Sequence, residues 1–231
     1  MSSGKYILEV KELKKVYITG EVETPALRGV NLKLEEGAFA SVVGPSGCGK
    51  TTLLNLLGGL DAPTSGTITL DGARLDQLSE KELSRIRLKH IGFVFQAYNL
   101  FPVLTALENV EYVMMLQSIP AGERRKRAME LLEAVGLAGM AHKRPTQLSG
   151  GQQQRIAVAR AISTETRLVL ADEPTANLDS TTASQLLDLM ETLNHEHAVT
   201  FLFSTHDPRV VKRARRVIRL RDGLVVEGNS Q

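Results

Sequence analysis

The sequence predicts an α/β fold with a mixed, mainly parallel sheet, an antiparallel β subdomain and an inserted α-helical lobe. The continuous apolar run 168–171 is typical of a strand buried on both faces of a parallel sheet, and a second buried strand is predicted at 199–203. Residues 6–10 and 30–34 alternate apolar and polar, as half-buried antiparallel strands do. Apolar residues at helical spacing dominate 97–160, which predicts a separate helical lobe.

The composition is that of an ordinary soluble α/β protein. Lys and Arg number 28 and Asp and Glu 26, so the net charge is +2, too small to indicate a nucleic-acid partner. The one cysteine, Cys48, excludes an intramolecular disulfide and favours a reducing compartment. The sequence starts without a signal-peptide stretch, and no run reaches the ~18 apolar residues of a membrane span. We expect a soluble chain that reaches a membrane only through a partner.

Local signals predict the other elements before the helical lobe. Residues 17–25 favour an exposed hairpin or loop that carries one aromatic residue, Tyr17. Ser79 and Glu82 have the spacing of a capping box, which predicts a helix to about residue 89. Two further strands are predicted at 67–70 and 91–95.

A glycine-rich stretch between a predicted strand and a predicted helix organises the rest of the chain. It lies between the apolar runs 39–43 and 53–57 and fits the pattern G-x-x-x-x-G-K-[ST]. Its members are Gly44, Pro45, Ser46, Gly47, Cys48, Gly49, Lys50, Thr51 and Thr52. The glycines allow a tight turn whose backbone N–H groups point into the loop. The positive N-terminal end of the following helix lies behind them, so the loop is predicted to bind phosphate. A plain turn with a surface lysine is the alternative, and the spacing and both flanks count against it.

Four side chains at or near this loop have predicted ligand roles. Lys50 would reach the β and γ phosphates of a nucleotide, and the Thr51 hydroxyl would ligate Mg2+. The run 168–171 ends in Asp172 and Glu173, and the carboxyl ends of parallel strands lie beside such a loop. We expect Asp172 to hold the water shell of Mg2+ and Glu173 to polarise a water in line with the γ phosphate. A helix cap and a solvated carboxylate are the alternatives for this pair.

The helical lobe is predicted from a capping box, a periodic segment and a further helix. Thr105 and Glu108 have the capping-box spacing, and the helical pattern of 123–135 stops at Gly136. A helix rich in Ala and Val spans 152–162. The methionines of the lobe are expected in its core: Met114, Met115, Met129 and Met140. The predicted organisation is one domain, 1–231, with a core at 1–96 and 161–231 and the lobe at 97–160.

Beyond the lobe the strand pattern returns. A helix is predicted at 184–193, and strands at 217–220 and 224–226 form a hairpin around Asp222-Gly223. The basic run 209–221 alternates with apolar residues, which is typical of the solvated face of ordinary elements and not of a nucleic-acid patch.

The eight residues Leu148 to Arg155, Leu-Ser-Gly-Gly-Gln-Gln-Gln-Arg, resemble the signature motif of ATP-binding cassette (ABC) ATPases. Ser149, Gly150, Gly151 and Gln152 open a predicted helix and form a second anion site. The resemblance implies that this site completes the ATP site of a second copy, so that a head-to-tail homodimer encloses two ATP with Mg2+. A simple helix cap would explain Ser149 but not the octet.

Other positions match family motifs in the same order. Tyr17 resembles the aromatic residue that stacks on adenine, with a surface tyrosine as the alternative. Gln96 resembles the glutamine that ligates Mg2+ and begins the loop to the membrane domains. Residues 176–179 resemble the loop that communicates across the dimer; they open with Ala-Asn instead of the commoner Ser-Ala, which leaves Asp179 best supported. His206 resembles the histidine that contacts the γ phosphate. The implied catalytic residues are Lys50, Glu173 and His206, and the histidines expected at the surface are His90, His142, His195 and His197.

The branch with lipoprotein-releasing (LolD) and macrolide-export (MacB) ATPases is the one that the chain most resembles. The stretches that carry this resemblance are 20–30, 57–66 and 98–110. It implies ATP-driven work on integral membrane permease subunits from the cytoplasmic face of the cell membrane. The segment Ala97 to Val110 would form the cleft for the permease. Leu100 and Phe101 would be exposed for this reason, or would instead fold into the core of the lobe.

Two other functions are alternatives to transport. A cassette protein that works on ribosomes or DNA usually carries two cassettes or a long coiled-coil insertion, and the sequence contains neither. A cell-division scaffold of the same fold, in which nucleotide-dependent binding matters more than turnover, is left open by the sequence. The transported substrate is not encoded in these motifs.

Overall fold

Two sheets and a helical lobe make up the computed structural model, which describes residues 6–226. The strands are β1 (Tyr6–Thr19), β2 (Val22–Glu35), β3 (Phe39–Val43), β4 (Ser65–Leu70), β5 (Ala73–Arg74), β6 (Ile91–Phe95), β7 (Leu168–Asp172), β8 (Thr200–Ser204), β9 (Arg216–Arg221) and β10 (Leu224–Val226). The α-helices are α1 (Lys50–Leu57), α2 (Glu80–His90), α3 (Ala106–Leu116), α4 (Ala121–Ala134), α5 (Gly150–Ala161), α6 (Ser180–His197) and α7 (Pro208–Arg213). The ends of the predicted domain, 1–5 and 227–231, lie outside the described residues. Between residues 6 and 226, no helix combines the length and the apolar character that a membrane crossing needs.

The larger sheet has the strand order β10-β9-β3-β8-β7-β6. Only β10 runs antiparallel to its neighbour, so the predicted mixed, mainly parallel sheet is confirmed. All five residues of β8 and the first four of β7 are buried, in agreement with the prediction that both strands are buried. Asp172 pairs in register with Phe95 and with Ser204, so β6, β7 and β8 end at the same level. The segments that follow these strands therefore meet at one edge of the sheet.

The smaller sheet is antiparallel, with the strand order β2-β1-β4-β5. The predicted hairpin or loop at 17–25 is a hairpin in which both strands continue almost to its tip. Thr19 pairs with Val22, and Gly20 adopts a left-handed φ of 63° in the two-residue turn. The strands are longer than predicted because backbone pairing extends beyond the residues whose side chains reach the core.

Two hydrophobic clusters lie on the two faces of the larger sheet. The first joins the lobe to the sheet and contains Val110 of α3, Leu132 of α4 and Ile156 of α5 together with Val169 and Phe203 of the strands. The second joins the antiparallel sheet and α1 to the opposite face. The lobe therefore shares a continuous core with the sheet that carries the phosphate loop.

The predictions for the methionines and for one histidine need correction. Met114 is fully buried, but Met115 and Met129 are 46% and 36% exposed, because they lie on the outer faces of α3 and α4. Their assignment to the core was wrong. His90 is half-buried where α2 runs into β6, and its carbonyl accepts a hydrogen bond from the Arg167 N–H, so the prediction of a surface position was wrong for it.

Gly92 lets α5 pack closely on β6. A Cβ at this position would lie 2.9 Å from the carbonyl carbon of Ala161 and closer still to its oxygen. We expect Gly92→Ala to lower the free energy of unfolding by ~1–3 kcal/mol, because neither backbone can move without disturbing the core. Denaturant unfolding measures this. Gly122→Ala in α4 is the matched control: its Cβ would meet no atom within 4 Å, and a comparable loss there would contradict the steric explanation.

Candidate functional site

The phosphate loop connects β3 to α1 and lines a cavity of about 660 Å³. Gly47 and Gly49 have φ values of 78° and 105°, a left-handed region that side chains disfavour, so glycine is required for this loop shape. The Cys48 side chain is buried beneath the loop, which leaves its backbone for ligand contacts. A larger cavity of about 1250 Å³ near Phe39 and Arg215 contains none of the predicted site residues.

Lys50 is the first residue of α1 and folds back over the loop. Its Nζ donates hydrogen bonds to the carbonyl oxygens of Gly44 at 2.8 Å and Pro45 at 3.0 Å. The ammonium group therefore lies at the mouth of the loop, where the N-terminus of α1 also favours an anion.

The residues beside the loop fit a magnesium ion. The Thr51 Oγ1 donates to the Asp172 Oδ2 at 3.0 Å, and the Asp172 Oδ1 is buried without a hydrogen-bond partner in the described range. Gln96 lines the same cavity, and its Nε2 lies 3.4 Å from the Asn177 Oδ1. Residues 6–226 hold no cluster of three or more His, Cys, Asp or Glu side chains that could hold a metal. A metal here would take hydroxyl, carboxylate, amide and phosphate oxygens, which suits Mg2+.

Glu173 and His206 form a pair at the ends of β7 and β8. The Glu173 Oε1 lies 2.7 Å from the His206 Nδ1, and its Oε2 accepts a hydrogen bond from the Thr205 Oγ1 at 3.1 Å. Glu173 has a φ of 46°, and its N–H donates to the Ser204 carbonyl. A non-glycine residue in this conformation is strained, and such strain persists at functional sites where neighbours hold it.

Polar residues next to His206 support this pair: the Asp207 N–H donates to the Thr205 Oγ1 at 2.9 Å, and Thr205 in turn donates to Glu173. The Asp207 Oδ2 accepts from the Thr175 Oγ1 at 2.7 Å, and Arg209 donates to both Asp207 oxygens. Burial would raise the pKa of Asp207, but the hydrogen bonds from Arg209 and Thr175 outweigh it and lower the pKa to about 2. The only sequence signal was the position of Thr205 and Asp207 on either side of His206.

The predicted second anion site lies away from this cavity. Ser149 caps α5: its Oγ accepts from the Gln152 N–H at 3.3 Å, and its N–H donates to the Gln152 Oε1 at 2.9 Å. A Cβ on Gly150 would meet the Tyr98 hydroxyl, and one on Gly151 would collide with Thr182. Glycine at these two positions therefore allows the Tyr98 and Thr182 side chains to pack closely against α5, and neither position lines the cavity of the phosphate loop.

Asp179 and Tyr17 also lie outside the cavity. Asp179 caps α6, where the N–H groups of Thr181 and Thr182 each donate to its Oδ1 at 3.0 Å. Tyr17 is 39% exposed on β1, and its hydroxyl donates to the Asp61 Oδ2 at 2.9 Å. Thus one chain brings the phosphate loop, Gln96, Asp172, Glu173 and His206 together, and leaves Tyr17, Asp179 and the second anion site at other positions.

The fold and the cavity together define a phosphate-loop nucleoside triphosphatase, because a phosphate-binding loop lies next to a carboxylate that can orient water. The family model described as ABC transporter matches residues 27–176, and the chain belongs to this family.

Individual relatives and one solved structure agree with this membership. The lipoprotein-releasing system ATP-binding protein LolD of Anaeromyxobacter dehalogenans is 46% identical over 95% of this chain and 92% of that protein. The macrolide export ATP-binding/permease protein MacB of Rhodopirellula baltica is 47% identical over 96% of this chain and 33% of its own length. The dimeric cassette MJ0796 of Methanocaldococcus jannaschii, in a post-hydrolysis state bound to ADP and Pi, matches with a TM-score of 0.89 and 44% identity over 96% of this chain and 98% of that chain. The present chain is an ATP-binding ATPase subunit of the ABC transporter family.

Because its pKa is low, the Asp207 carboxylate contributes to the free energy of unfolding only above a defined pH. The carboxylate has a pKa near 3.9 when unfolded and about 2 in the fold, so its contribution is complete above about pH 4 and is lost as the pH falls toward 2. We expect Asp207→Asn to lower the free energy of unfolding by ~1–3 kcal/mol at pH 7, and by less as the pH falls below 4. Urea unfolding across this range is the measurement. Asp222→Asn, at a carboxylate side chain that is 81% exposed, is the control; a pH-independent Asp207 effect would argue against the assignment.

Proposed function

We propose that the chain binds ATP with Mg2+ at the phosphate loop and hydrolyses it through Glu173. The observation that carries this proposal is the Glu173–His206 pair beside the Thr51–Asp172 hydrogen bond. Glu173 accepts a proton from the attacking water, and His206 orients the carboxylate. Thr51, Asp172 and Gln96 would hold Mg2+, which would neutralise phosphate charge.

The proposed working unit is a head-to-tail homodimer. Ser149 and Gly150 lie at the N-terminus of α5, which favours an anion but lies outside the chain's own phosphate cavity. A second copy that presents this helix end would supply the missing side of the ATP site. Asp179 borders the same face through its contact with Thr182, which packs on Gly151. Tyr17 is proposed to stack on the adenine through its exposed ring.

The proposed partner surface is an apolar groove of about 520 Å³ between α2, α3, β6 and α5. Phe101 is 40% exposed and packs against Tyr112, whereas Leu100 is partly buried against the core of the lobe. The position of Phe101 thus supports exposure toward a permease, whereas Leu100 folds toward the core of the lobe. Arg160 donates to the carbonyl oxygens of Tyr98 and Asn99 and so fixes the segment 97–110 at one side of the groove.

An integral membrane permease is proposed to occupy this groove and to hold the chain at the inner face of the cell membrane. The names of the relatives LolD and MacB support work in lipoprotein release or in the export of hydrophobic compounds. Docking by a membrane helix would cover exposed apolar side chains such as Phe101 and Leu116.

The role of Glu173 is tested by Glu173→Gln. The amide keeps the shape of the carboxylate but cannot accept a proton, so we expect kcat to fall by ~100-fold or more while ATP binding persists. The bound, unhydrolysed ATP should hold the dimer together. Phosphate release, ATP binding and molar mass in solution are the measurements.

Glu165→Gln is the matched control, because Glu165 is exposed in the turn before β7 and away from the cavity. Turnover by Glu173→Gln at the rate of Glu165→Gln would refute the catalytic assignment. Loss of ATP binding by a folded Glu173→Gln protein would show that Glu173 acts in binding instead.

The partner surface is tested by Leu116→Asp. Leu116 is 51% exposed and lines the groove, so a carboxylate there is cheap for the fold but costly against an apolar partner helix. We expect at least a tenfold loss in the amount of this chain recovered with the membrane fraction of its native cells. Val22→Asp, at a 64% exposed position on the distant hairpin, should show no such loss. Equal recovery of both variants would show that the groove is not the partner surface.

A further inference from the structure

Gln154 is a fully buried polar residue in the middle of α5. Its Nε2 donates to the Pro174 carbonyl at 2.8 Å and to the Phe95 carbonyl at 3.3 Å. One amide group therefore connects the lobe to the ends of β6 and β7. The sequence motif contains Gln154, but neither the phosphate contacts nor the capping of α5 use it.

Both carbonyl groups belong to neighbours of proposed site residues. Phe95 precedes Gln96, and Pro174 follows Glu173. The Glu173 N–H is held by Ser204 of β8, and the carbonyl of the next residue is held by Gln154. The left-handed turn at Glu173 is thus fixed on one side by the sheet and on the other by α5.

The same helix presents the second anion site. Gly150 is the first residue of α5, and Gln154 lies one turn further on. The Tyr98 hydroxyl packs against Gly150, and Arg160 near the far end of α5 holds the Tyr98 and Asn99 carbonyls. A short rigid helix therefore connects the end that faces a partner copy with the turn that carries this chain's own carboxylate.

We propose that Gln154 is a positioning residue that sets Glu173 and Gln96 relative to the signature end of α5. This inference rests on the proposed role of Glu173 as the group that activates water. A hydrogen bond to each of the two carbonyls keeps the Glu173 turn in place when α5 engages the partner's nucleotide. Gln154 touches no part of the phosphate loop, so its effect belongs to turnover and not to ATP binding.

Two variants of the full chain separate positioning from plain stability. Gln154→Met keeps the length of the side chain and removes both donors; we expect kcat to fall at least tenfold while KM for ATP changes less than twofold. Gln154→Glu places a carboxylate against two carbonyl oxygens, so at pH 8 its kcat should be as low as that of Gln154→Met. Its activity relative to the native chain should recover at least threefold by pH 6, because a protonated carboxyl group donates one hydrogen bond to Pro174. Gln77→Glu, at an exposed position, is the charge control and should show no such recovery.

The outcomes are distinct. Native kcat in a folded Gln154→Met protein would overturn the inference, and so would a loss of activity that follows melting temperature alone with no pH recovery in Gln154→Glu. If Gln154→Met does not fold, the pH profile of Gln154→Glu decides by itself. Failure of the proposed function would appear instead as ATP turnover by Glu173→Gln. That measurement is independent of those on the Gln154 variants.

Discussion

The shared carboxyl edge of the larger sheet is the constraint on which the site depends. β3, β6, β7 and β8 are parallel and lie next to one another in the order β3-β8-β7-β6. Since each ends at nearly the same level, whatever follows them in sequence must meet. Gly44, Gln96, Glu173 and His206 are far apart in the chain and become neighbours for this reason. The buried apolar strands below them supply the rigidity that a reaction site needs.

The parts of the fold that the sequence predicted well are those with a strong local signal. Predominantly apolar runs identified β7 and β8, and the Ser79 and Thr105 capping boxes located the starts of α2 and α3. Motif spacing with the right flanks located the phosphate loop. Sheet order then brought Asp172 and Glu173 beside it, which follows from topology and needs no knowledge of side-chain packing.

Other features depend on tertiary contacts that one sequence does not reveal. Helical periodicity predicts an apolar helix face, but the elements that pack on the helix determine how much of that face is buried. For this reason Met115 and Met129 lie outside the core. The pairing of Ile18 with Glu23 comes from backbone groups that carry no side-chain pattern. The Thr175–Asp207 hydrogen bond links loops 32 residues apart, and nothing in either loop alone indicates the other.

The polar network at the strand ends has a cost that a ligand can offset. A left-handed Glu173 costs on the order of 1–3 kcal/mol, and the buried Asp172 Oδ1, without a partner in the described residues, costs a similar amount. The hydrogen bond from the Thr205 hydroxyl to Glu173, the one from the Glu173 N–H to the Ser204 carbonyl, and the buried Asp207 cluster keep this geometry in place. A cation that binds Asp172 would give this oxygen a partner, and it would stabilise the folded state by an amount that rises with the logarithm of the cation concentration relative to Kd. The groups whose geometry is least favourable for folding therefore lie at the same edge of the sheet as the cavity in which a nucleotide and its metal would bind.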